Sequence, residues 1–269
     1  MTGAGKCFDS ARRLRAVVAD EREVSVSTME ARVDRTGLPF AGLASTRRLR
    51  GKEIAGAESW NPALRHLDIS FHTDDRLTLI SGHPLVTRLS VSAATDRALA
   101  GEPVVYLDGA HSFDPFIIGR LAKARRQQPR KVLALIHVAR AFSGYQMERL
   151  ISNCLAAALD RYQARTAVIS GLCDMMADET ASDRDIARLS DRMLESIRQL
   201  LLQGYSFLCP VPSVPAVDAR GHQLFAGLSE LADRLIRVQE KQGNVLVDED
   251  RPILHAACTV QKTAPERLI

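Results

Sequence analysis

From about residue 60 onward, short apolar runs alternate with longer segments of helical periodicity. The runs are rich in Val, Ile and Leu, which is typical of strands that are covered on both faces. The predicted strands are 77–81, 103–108, 132–138, 166–170 and 205–209. The predicted helices between them are 86–100, 114–127, 145–161 and 183–203. This alternation predicts an α/β fold with a mostly parallel central sheet and helices on both faces.

Two of the predicted helices begin with a capping signal. Asp114 precedes Pro115, and this pair is typical of an N-cap followed by proline at the first helical position. Ser182 or Asp183 is suited to cap the longest helix. These side chains predict where the two helices start.

The pattern also suggests how the chain is divided. Residues 1–58 are charge-rich and weakly patterned, and they include a basic cluster at 47–52, so we expect an N-terminal arm or a small helical element. Residues 59–269 form the predicted core domain. Toward its end, 235–239 and 253–257 predict two strands of a C-terminal antiparallel β extension.

Composition narrows the class of protein. The chain has 269 residues, of which 46% are hydrophobic and 25% charged, enough for one substantial core. Its net charge of +4 permits contact with nucleic acid without requiring it. The cysteines are scattered without a C-x-x-C pair, and no apolar stretch approaches the ~20 residues of a membrane span. No signal peptide is recognised, so we expect a cytoplasmic protein without a membrane partner.

Four segments carry the candidate chemistry, each placed at a strand and the turn that follows it. They are 77–90, 104–115, 137–147 and 167–176. The second contains Asp-Gly-Ala-His-Ser-Phe-Asp-Pro, the third Ala-Arg-Ala-Phe before a polar loop, and the fourth Ala-Val-Ile-Ser-Gly. The carboxyl ends of parallel strands meet at one edge of a sheet, which is where α/β proteins bind ligands.

In their order and spacing these segments resemble the RecA/RadA recombinase family over roughly residues 65–260. The resemblance implies a RecA-like P-loop NTPase core that binds ATP and magnesium. In that family the first segment carries a Walker A loop, G-x-x-x-x-G-K-[ST], whose backbone N–H groups and lysine hold the phosphates.

The departures from the family pattern fall on the residues that bind phosphate and magnesium in that family. Gly82 matches the first Walker A glycine, but Thr87 stands at the second, Arg88 at the lysine and Leu89 at the magnesium-binding hydroxyl. Thr87 restricts the positive φ that glycine supplies, and we expect it to distort the phosphate cradle. Leu89 cannot bind a metal ion.

The positions of the family's catalytic and metal-binding carboxylates are altered as well. The catalytic glutamate position falls on Ala110 and the Walker B aspartate on Ser170. Asp108 and Asp174 are the nearby carboxylates that could hold a metal instead, although Asp108 could equally cap the turn that follows it. Together these changes predict a degenerate nucleotide site without catalytic residues and without a metal ion.

Three single residues have two interpretations each. Arg88 could hold a phosphate at a helix N-terminus, but an arginine that packs along the helix is the more ordinary interpretation. His111 could replace the catalytic base, and His83 is open to the same idea. A lone loop histidine is more often a surface or hydrogen-bonding residue, which we favour for both.

Basic residues between the second helix and the third strand suggest a phosphate contact. They are Arg125, Arg126, Arg130 and Lys131, and Arg220 lies in a later loop. A solvated turn is the ordinary alternative. The family resemblance places DNA-binding loops at 177–184 and 211–223, but the first is acidic and the second lacks aromatic residues. Strand exchange is therefore not expected.

The leading hypothesis from the sequence is a non-catalytic RecA-like accessory protein in DNA repair, recombination or damage tolerance. It would contact a recombinase, a DNA polymerase or another subunit, in a homo- or hetero-oligomer, with weak DNA binding at most, and would need no cofactor. One alternative is an unusual ATPase that binds ATP and magnesium through Arg88. Another is a structural or regulatory subunit unrelated to nucleic acid.

Overall fold

The computed structural model describes residues 45–48, 75–215, 219–241 and 244–250. Within these residues the strands form one eight-stranded sheet. The strands are β1 (Ser45–Arg48), β2 (Leu77–Ser81), β3 (Val104–Asp108), β4 (Ile136–Arg140), β5 (Thr166–Ser170), β6 (Ser206–Val211), β7 (Arg234–Lys241) and β8 (Asn244–Asp250).

The described helices connect the central strands. They are α1 (Leu85–Leu99), α2 (Pro115–Ala124), α3 (Pro129–Leu133), α4 (Gly144–Arg149), α5 (Leu155–Tyr162), α6 (Leu172–Asp178), α7 (Asp183–Leu202) and α8 (His222–Leu231). A π-helical turn, Leu150–Cys154, joins α4 to α5. None of the described helices is long and apolar enough to cross a bilayer.

The strand order across the sheet is β1-β8-β7-β2-β6-β5-β3-β4. The neighbours from β7 through β4 all pair in parallel. Only β8 is antiparallel, to β7 on one side and to β1 on the other. The chain is therefore an α/β protein with a mostly parallel sheet, as the apolar runs predicted.

Helices cover both faces of this sheet because alternate strand residues point to opposite sides. On one face Leu79, Leu107 and Ile169 pack with residues of α4 to α8. On the other, Tyr106 and Val168 pack with residues of α1, α2 and α3. The polar exceptions in the central strands, Asp108 and Ser170 among them, mark the candidate site.

The local signals place most elements correctly. Strands 77–81 and 166–170 are confirmed at both ends, and the long predicted helices agree to within three residues at each end. The Asp114 carboxylate accepts from Phe116 N, and the Ser182 hydroxyl accepts from Asp185 N, so both predicted caps are confirmed. The third predicted strand is wrong in its first half, since Pro129 starts the short helix α3 and β4 begins only at residue 136.

The C-terminal extension is corrected by the strand pairing. The segment 235–239 lies in β7, which pairs in parallel with β2 and so belongs to the main sheet. Its antiparallel partner is β8 at 244–250. The predicted strand 253–257 lies outside the described residues. Within the predicted arm, β1 adds to the sheet edge through β8, which the sequence pattern did not suggest.

Candidate functional site at the carboxyl edge of the sheet

One switch point of the sheet lies between the neighbouring strands β2 and β6. From β2 the chain crosses to β3 on one side, whereas from β6 it crosses to β7 on the other side. Adjacent strands whose connections run in opposite directions create a crevice at their carboxyl ends, where open α/β sheets bind ligands. This switch point lies at Ser81–Gly82 and Val211, the position of the predicted degenerate Walker A loop.

The loop at this switch point is too short to form a phosphate cradle. Helix α1 begins at Leu85, so only residues 82–84 connect it to β2. Thr87, Arg88 and Leu89 therefore lie inside the helix, with Thr87 and Leu89 buried and Arg88 exposed. The expectation that Thr87 distorts a cradle is thus corrected, because the loop ends before that position is reached.

Gly82 is required for packing. Its φ of +99° lies in the left-handed region, and a Cβ atom there would lie 2.8 Å from the carbonyl oxygen of Val238 in β7. Its N–H donates to the carbonyl oxygen of Val211 at 3.0 Å. The glycine therefore allows β2 to end between two neighbouring strands, a requirement of the fold that is independent of any phosphate.

His83 occupies the N-terminus of α1. Its Nδ1 atom accepts from the backbone N–H of Leu85 at 3.1 Å, and its carbonyl oxygen accepts from Val86 N at 3.0 Å. Pro84 has no N–H to offer. The first donors of the helix, which would bind an anion in a working phosphate site, are thus used within the protein.

A carboxylate lies beside the same position. The Nε2 atom of His83 is 3.5 Å from the carboxylate oxygen Oε2 of Glu240 in β7. Negative charge next to a helix N-terminus repels a second anion in its first turn. The geometry around His83 therefore disfavours a nucleotide phosphate here.

Asp108, the carboxylate of the second segment, is fully buried and accepts several hydrogen bonds. It accepts from Ser112 N at 2.9 Å and from Phe113 N at 3.3 Å, which caps the turn after β3. Arg140 Nε of the neighbouring strand lies 3.2 Å away and forms an ion pair with it. These donors use the oxygens that a metal ion would need.

Ser170 ends β5 directly opposite Asp108. Its buried hydroxyl lies 3.3 Å from the carbonyl oxygen of Leu107 and 3.4 Å from Asp108 Oδ1, so it can donate to either. Ser170, which the sequence predicts at the Walker B position, thus holds a neutral donor directed into the sheet. Asp174 lies in the first turn of α6 and is only partly buried.

The turns after β3 and β5 are packed against each other. Gly171 has φ +79°, and a Cβ atom there would lie 2.3 Å from the backbone nitrogen of Ala110. A Cβ atom on Gly109 would collide with the side chains of Met175 and Met147. Ala110, which the sequence predicts at the position of a catalytic glutamate, therefore lies in a turn whose backbone packs closely against the turn after β5.

The thiol at this edge is chemically inert. Burial raises the pKa of the Cys173 thiol far above its usual range, and the neighbouring charge of Asp174 raises it further. Burial alone raises the pKa of Cys209 to about 12. Thiolate is the nucleophilic form of cysteine, so neither residue is suited to nucleophilic chemistry.

The predicted anion contacts separate into two groups. Arg125, Arg126, Arg130 and Lys131 are all exposed around the turn between α2 and α3. Because α2 runs back from the carboxyl edge, this turn lies at the opposite edge of the sheet from the switch point.

Arg220 is engaged within the protein. Its Nη1 atom donates to the carbonyl oxygens of Glu179 and Ala181, at 2.7 and 3.1 Å, and its Nε atom lies 2.9 Å from Asp183. These contacts tie the acidic loop after β5 to the loop after β6. A phosphate would have to compete with all three.

Sequence reasoning missed two features of this edge. One is the pairing of His83 with Leu85 and Glu240, which depends on a strand far away in the chain. The other is the exposure of three aromatic rings, Phe116, Phe142 and Tyr145, of which Phe142 lies against His111. A phenylalanine just after a strand end, as at Phe142, is the signal that could have pointed to it.

No protein-family model matches the chain, and no curated protein matches it significantly. Within the described residues, no three His, Cys, Asp or Glu side chains come together in a way that could hold a metal ion. The α/β fold and the geometry at the carboxyl edge therefore carry the functional argument by themselves.

Proposed function

We propose that the chain is a non-catalytic RecA-like accessory protein in DNA repair, recombination or damage tolerance, acting mainly through protein contacts. The family part of this proposal rests on the three motif segments after β3, β4 and β5 and on the strand–loop–helix at β2. All four segments meet at one edge of the mostly parallel sheet. That convergence is what a degenerate nucleotide-binding core requires.

The non-catalytic part of the proposal rests on the N-terminus of α1, where His83 already occupies a backbone donor. In a P-loop the first helical N–H groups and a lysine neutralise phosphate charge. Here His83 accepts from Leu85 N, and Glu240 adds a carboxylate beside it. Phosphoryl transfer depends on charge neutralisation and positioning, and this arrangement opposes both.

The alternative ATPase gains little support from the same geometry. It requires Arg88 to reach a phosphate and Asp108 to hold magnesium. Arg88 lies one helical turn inside α1, past the donors that His83 occupies. Asp108 is already bonded to Ser112 N, Phe113 N and Arg140.

The first test is a titration of the purified chain with a fluorescent ATP analogue, with and without magnesium. We expect no saturable signal up to millimolar nucleotide. Magnesium-dependent binding that Arg88→Ala abolishes would establish the ATPase alternative and overturn the proposal.

A second test addresses the pathway. Deleting the gene in its host should sensitise cells to DNA-damaging agents, and wild-type and Arg88→Ala chains should restore survival equally. A deletion strain with normal damage survival would instead favour a structural or regulatory subunit unrelated to nucleic acid.

A further inference from the structure

Two side chains at the end of β4 lie on one face of the chain and reach solvent. Phe142 is 72% exposed, and the Arg140 side chain is 41% exposed. The backbone between them continues the ladder with β3, because the N–H of Ala141 donates to the carbonyl oxygen of Asp108 at 3.3 Å. Alternate residues of an extended chain share a face, so Arg140 and Phe142 lie about 7 Å apart on the side opposite the buried Ala141.

The Phe142 ring is held in place although most of it is exposed. Its backbone N–H donates to Gln146 Oε1 at 2.8 Å, and Gln146 N donates to Ser143 Oγ at 3.3 Å. The centroid of the Phe142 ring lies 4.7 Å from that of the His111 ring, in the turn after β3. Because its backbone and its ring both contact the protein, this side chain loses little conformational freedom when a partner covers it.

His111 adopts a backbone conformation that favours glycine. Its φ is +52°, in the left-handed region, where a residue with a Cβ atom is strained. Such residues persist only where the surrounding structure holds them, and they cluster at sites that bind ligands. Glycine would relieve the strain but would remove the ring that packs against Phe142. The contact between the two rings is therefore the feature that the histidine supplies.

Arg140 is anchored at one nitrogen and open at the other two. Its Nε atom lies 3.2 Å from Oδ2 of the fully buried Asp108. Among the described residues, no acceptor is bonded to its two Nη nitrogens. The carboxylates of neighbouring turns are used elsewhere, since Asp114 caps α2 and Glu179 accepts from Gly144 N. A guanidinium fork fixed in this way is suited to bind a carboxylate through two parallel donors.

We propose that these two side chains, the Arg140–Phe142 surface, dock a peptide segment of a partner protein in which a carboxylate side chain stands beside a large apolar side chain. The carboxylate accepts from the two Nη nitrogens of Arg140, and the apolar side chain covers the Phe142 ring. Arginine and aromatic residues are typical of the few side chains that dominate the affinity of protein interfaces. The inference rests on the proposed function, because it gives the surface and the partner chemistry of its protein contacts.

The charge of this surface favours an acidic partner segment over a second copy of the chain. The sequence contains no acidic residue from 115 to 147, a range that includes β4 and the turn after it. A two-fold contact centred here would bring Arg140 close to its own counterpart, and like charges at an interface reduce affinity. A free phosphate could bind the same fork, but it would leave the Phe142 ring in water. Self-association and simple anion binding are therefore outcomes that the test must distinguish.

The test selects linear peptides from a random phage-displayed library on the purified full chain. We expect the enriched sequences to share a carboxylate next to a large apolar residue. No enrichment, or enrichment of sequences without a carboxylate, would overturn the proposal. Sedimentation of the chain alone detects self-association, and a dimer that Phe142→Ala abolishes would assign the surface to a second copy instead.

Fluorescence anisotropy of a selected, labelled peptide measures the contribution of each side chain. Phe142→Ala and Arg140→Gln should each weaken binding about tenfold. Replacing the peptide's carboxylate with its amide should weaken binding to the wild-type chain but not to Arg140→Gln, because the two changes remove the same contact. Equal weakening in both chains would show that the carboxylate binds elsewhere. Displacement of the peptide by millimolar inorganic phosphate at constant ionic strength would reveal a simple anion site. Either result would overturn the assignment.

One variant separates support of the ring from stability. His111→Gly accepts the left-handed backbone without strain, so urea unfolding should show a chain at least as stable as the wild type. Its affinity for the selected peptide should nevertheless fall severalfold, because the Phe142 ring loses its neighbour. Unchanged affinity would show that the two rings do not act together in binding.

Matched controls come from α7, which covers the opposite face of the sheet. Leu202 is 69% exposed at the end of this helix, and Arg198 is an exposed cation on it. Leu202→Ala and Arg198→Ala should bind the selected peptide as the wild type does, and a loss in either would place the peptide away from the Arg140–Phe142 surface. Since ATP-analogue titration is a separate readout, failure of this proposal and failure of the non-catalytic assignment are distinguishable.

Discussion

The Nδ1 atom of His83 accepts a hydrogen bond from the backbone N–H of Leu85, at 3.1 Å, where a working phosphate loop would present that donor to a nucleotide. The bond spans two residues, as a side-chain turn of asparagine or aspartate does. The His83 side chain thus occupies the first backbone donor of α1. The Glu240 carboxylate beside its other nitrogen repels anions from this position.

Removing this bond should destabilise the protein and leave nucleotide binding absent. His83→Ala is expected to lower the free energy of unfolding by about 1 kcal/mol, the usual contribution of one such hydrogen bond. His83→Asn should retain most of the stability because its Oδ1 atom can accept from the same N–H. Urea unfolding measures both, and equal stability of the alanine and asparagine variants would show that the bond contributes nothing.

Asp108 should be structural. Asp108→Ala would leave Arg140 and the N–H groups of Ser112 and Phe113 without their buried acceptor, and we expect a loss of about 3 kcal/mol. Arg140→Ala should cost only about 1 kcal/mol because the arginine is 41% exposed and remains hydrated. Chemical denaturation of the pair tests this order. A fully stable Asp108→Ala variant would contradict it.

Two glycines with similar backbone angles should respond differently to the same substitution. Gly171→Ala places a Cβ atom 2.3 Å from Ala110 N, whereas Gly204, at φ +85°, has nothing within 4 Å. We expect about 1 kcal/mol for Gly204→Ala from the left-handed backbone alone. Gly171→Ala should cost about 3 kcal/mol or more, since the two turns must separate. Similar melting temperatures for the two variants would refute the packing of these turns.

The buried thiols should not react with a disulfide reagent in the native state. Cys154, Cys173 and Cys209 are buried, and burial raises the pKa of Cys209 to about 12 and that of Cys173 further still. At pH 8 almost no thiolate forms at either position, so almost none is present to attack a disulfide reagent. In a Cys7→Ser, Cys258→Ser background, labelling should require urea. Rapid native labelling would show that at least one of these three thiols is accessible and contradict the prediction.

Much of the architecture follows from local patterns. Strands 77–81 and 166–170 are apolar on both faces, and such runs identify themselves wherever they lie in the chain. The starts of α2 and α7 were predicted because Asp114 and Ser182 cap their own helices within three residues. The strand proposed at 132–138 failed because a short apolar run after Pro129 fits a helix as well as a strand.

The amino-acid sequence alone predicts the α/β class and the carboxyl edge of the sheet as the candidate site, and its resemblance to the RecA/RadA family places Arg88, Leu89, Ala110 and Ser170 where that family has its lysine, hydroxyl and acidic residues. These depend on residue identity and short-range periodicity. Which side chains meet at this edge follows from the tertiary structure. Glu240 meets His83, and Arg140 meets Asp108, because parallel strands distant in the chain become neighbours in the sheet. Helix α2 likewise has an exposed side only because packing buries Ile117 and Ile118 and leaves Phe116 in water.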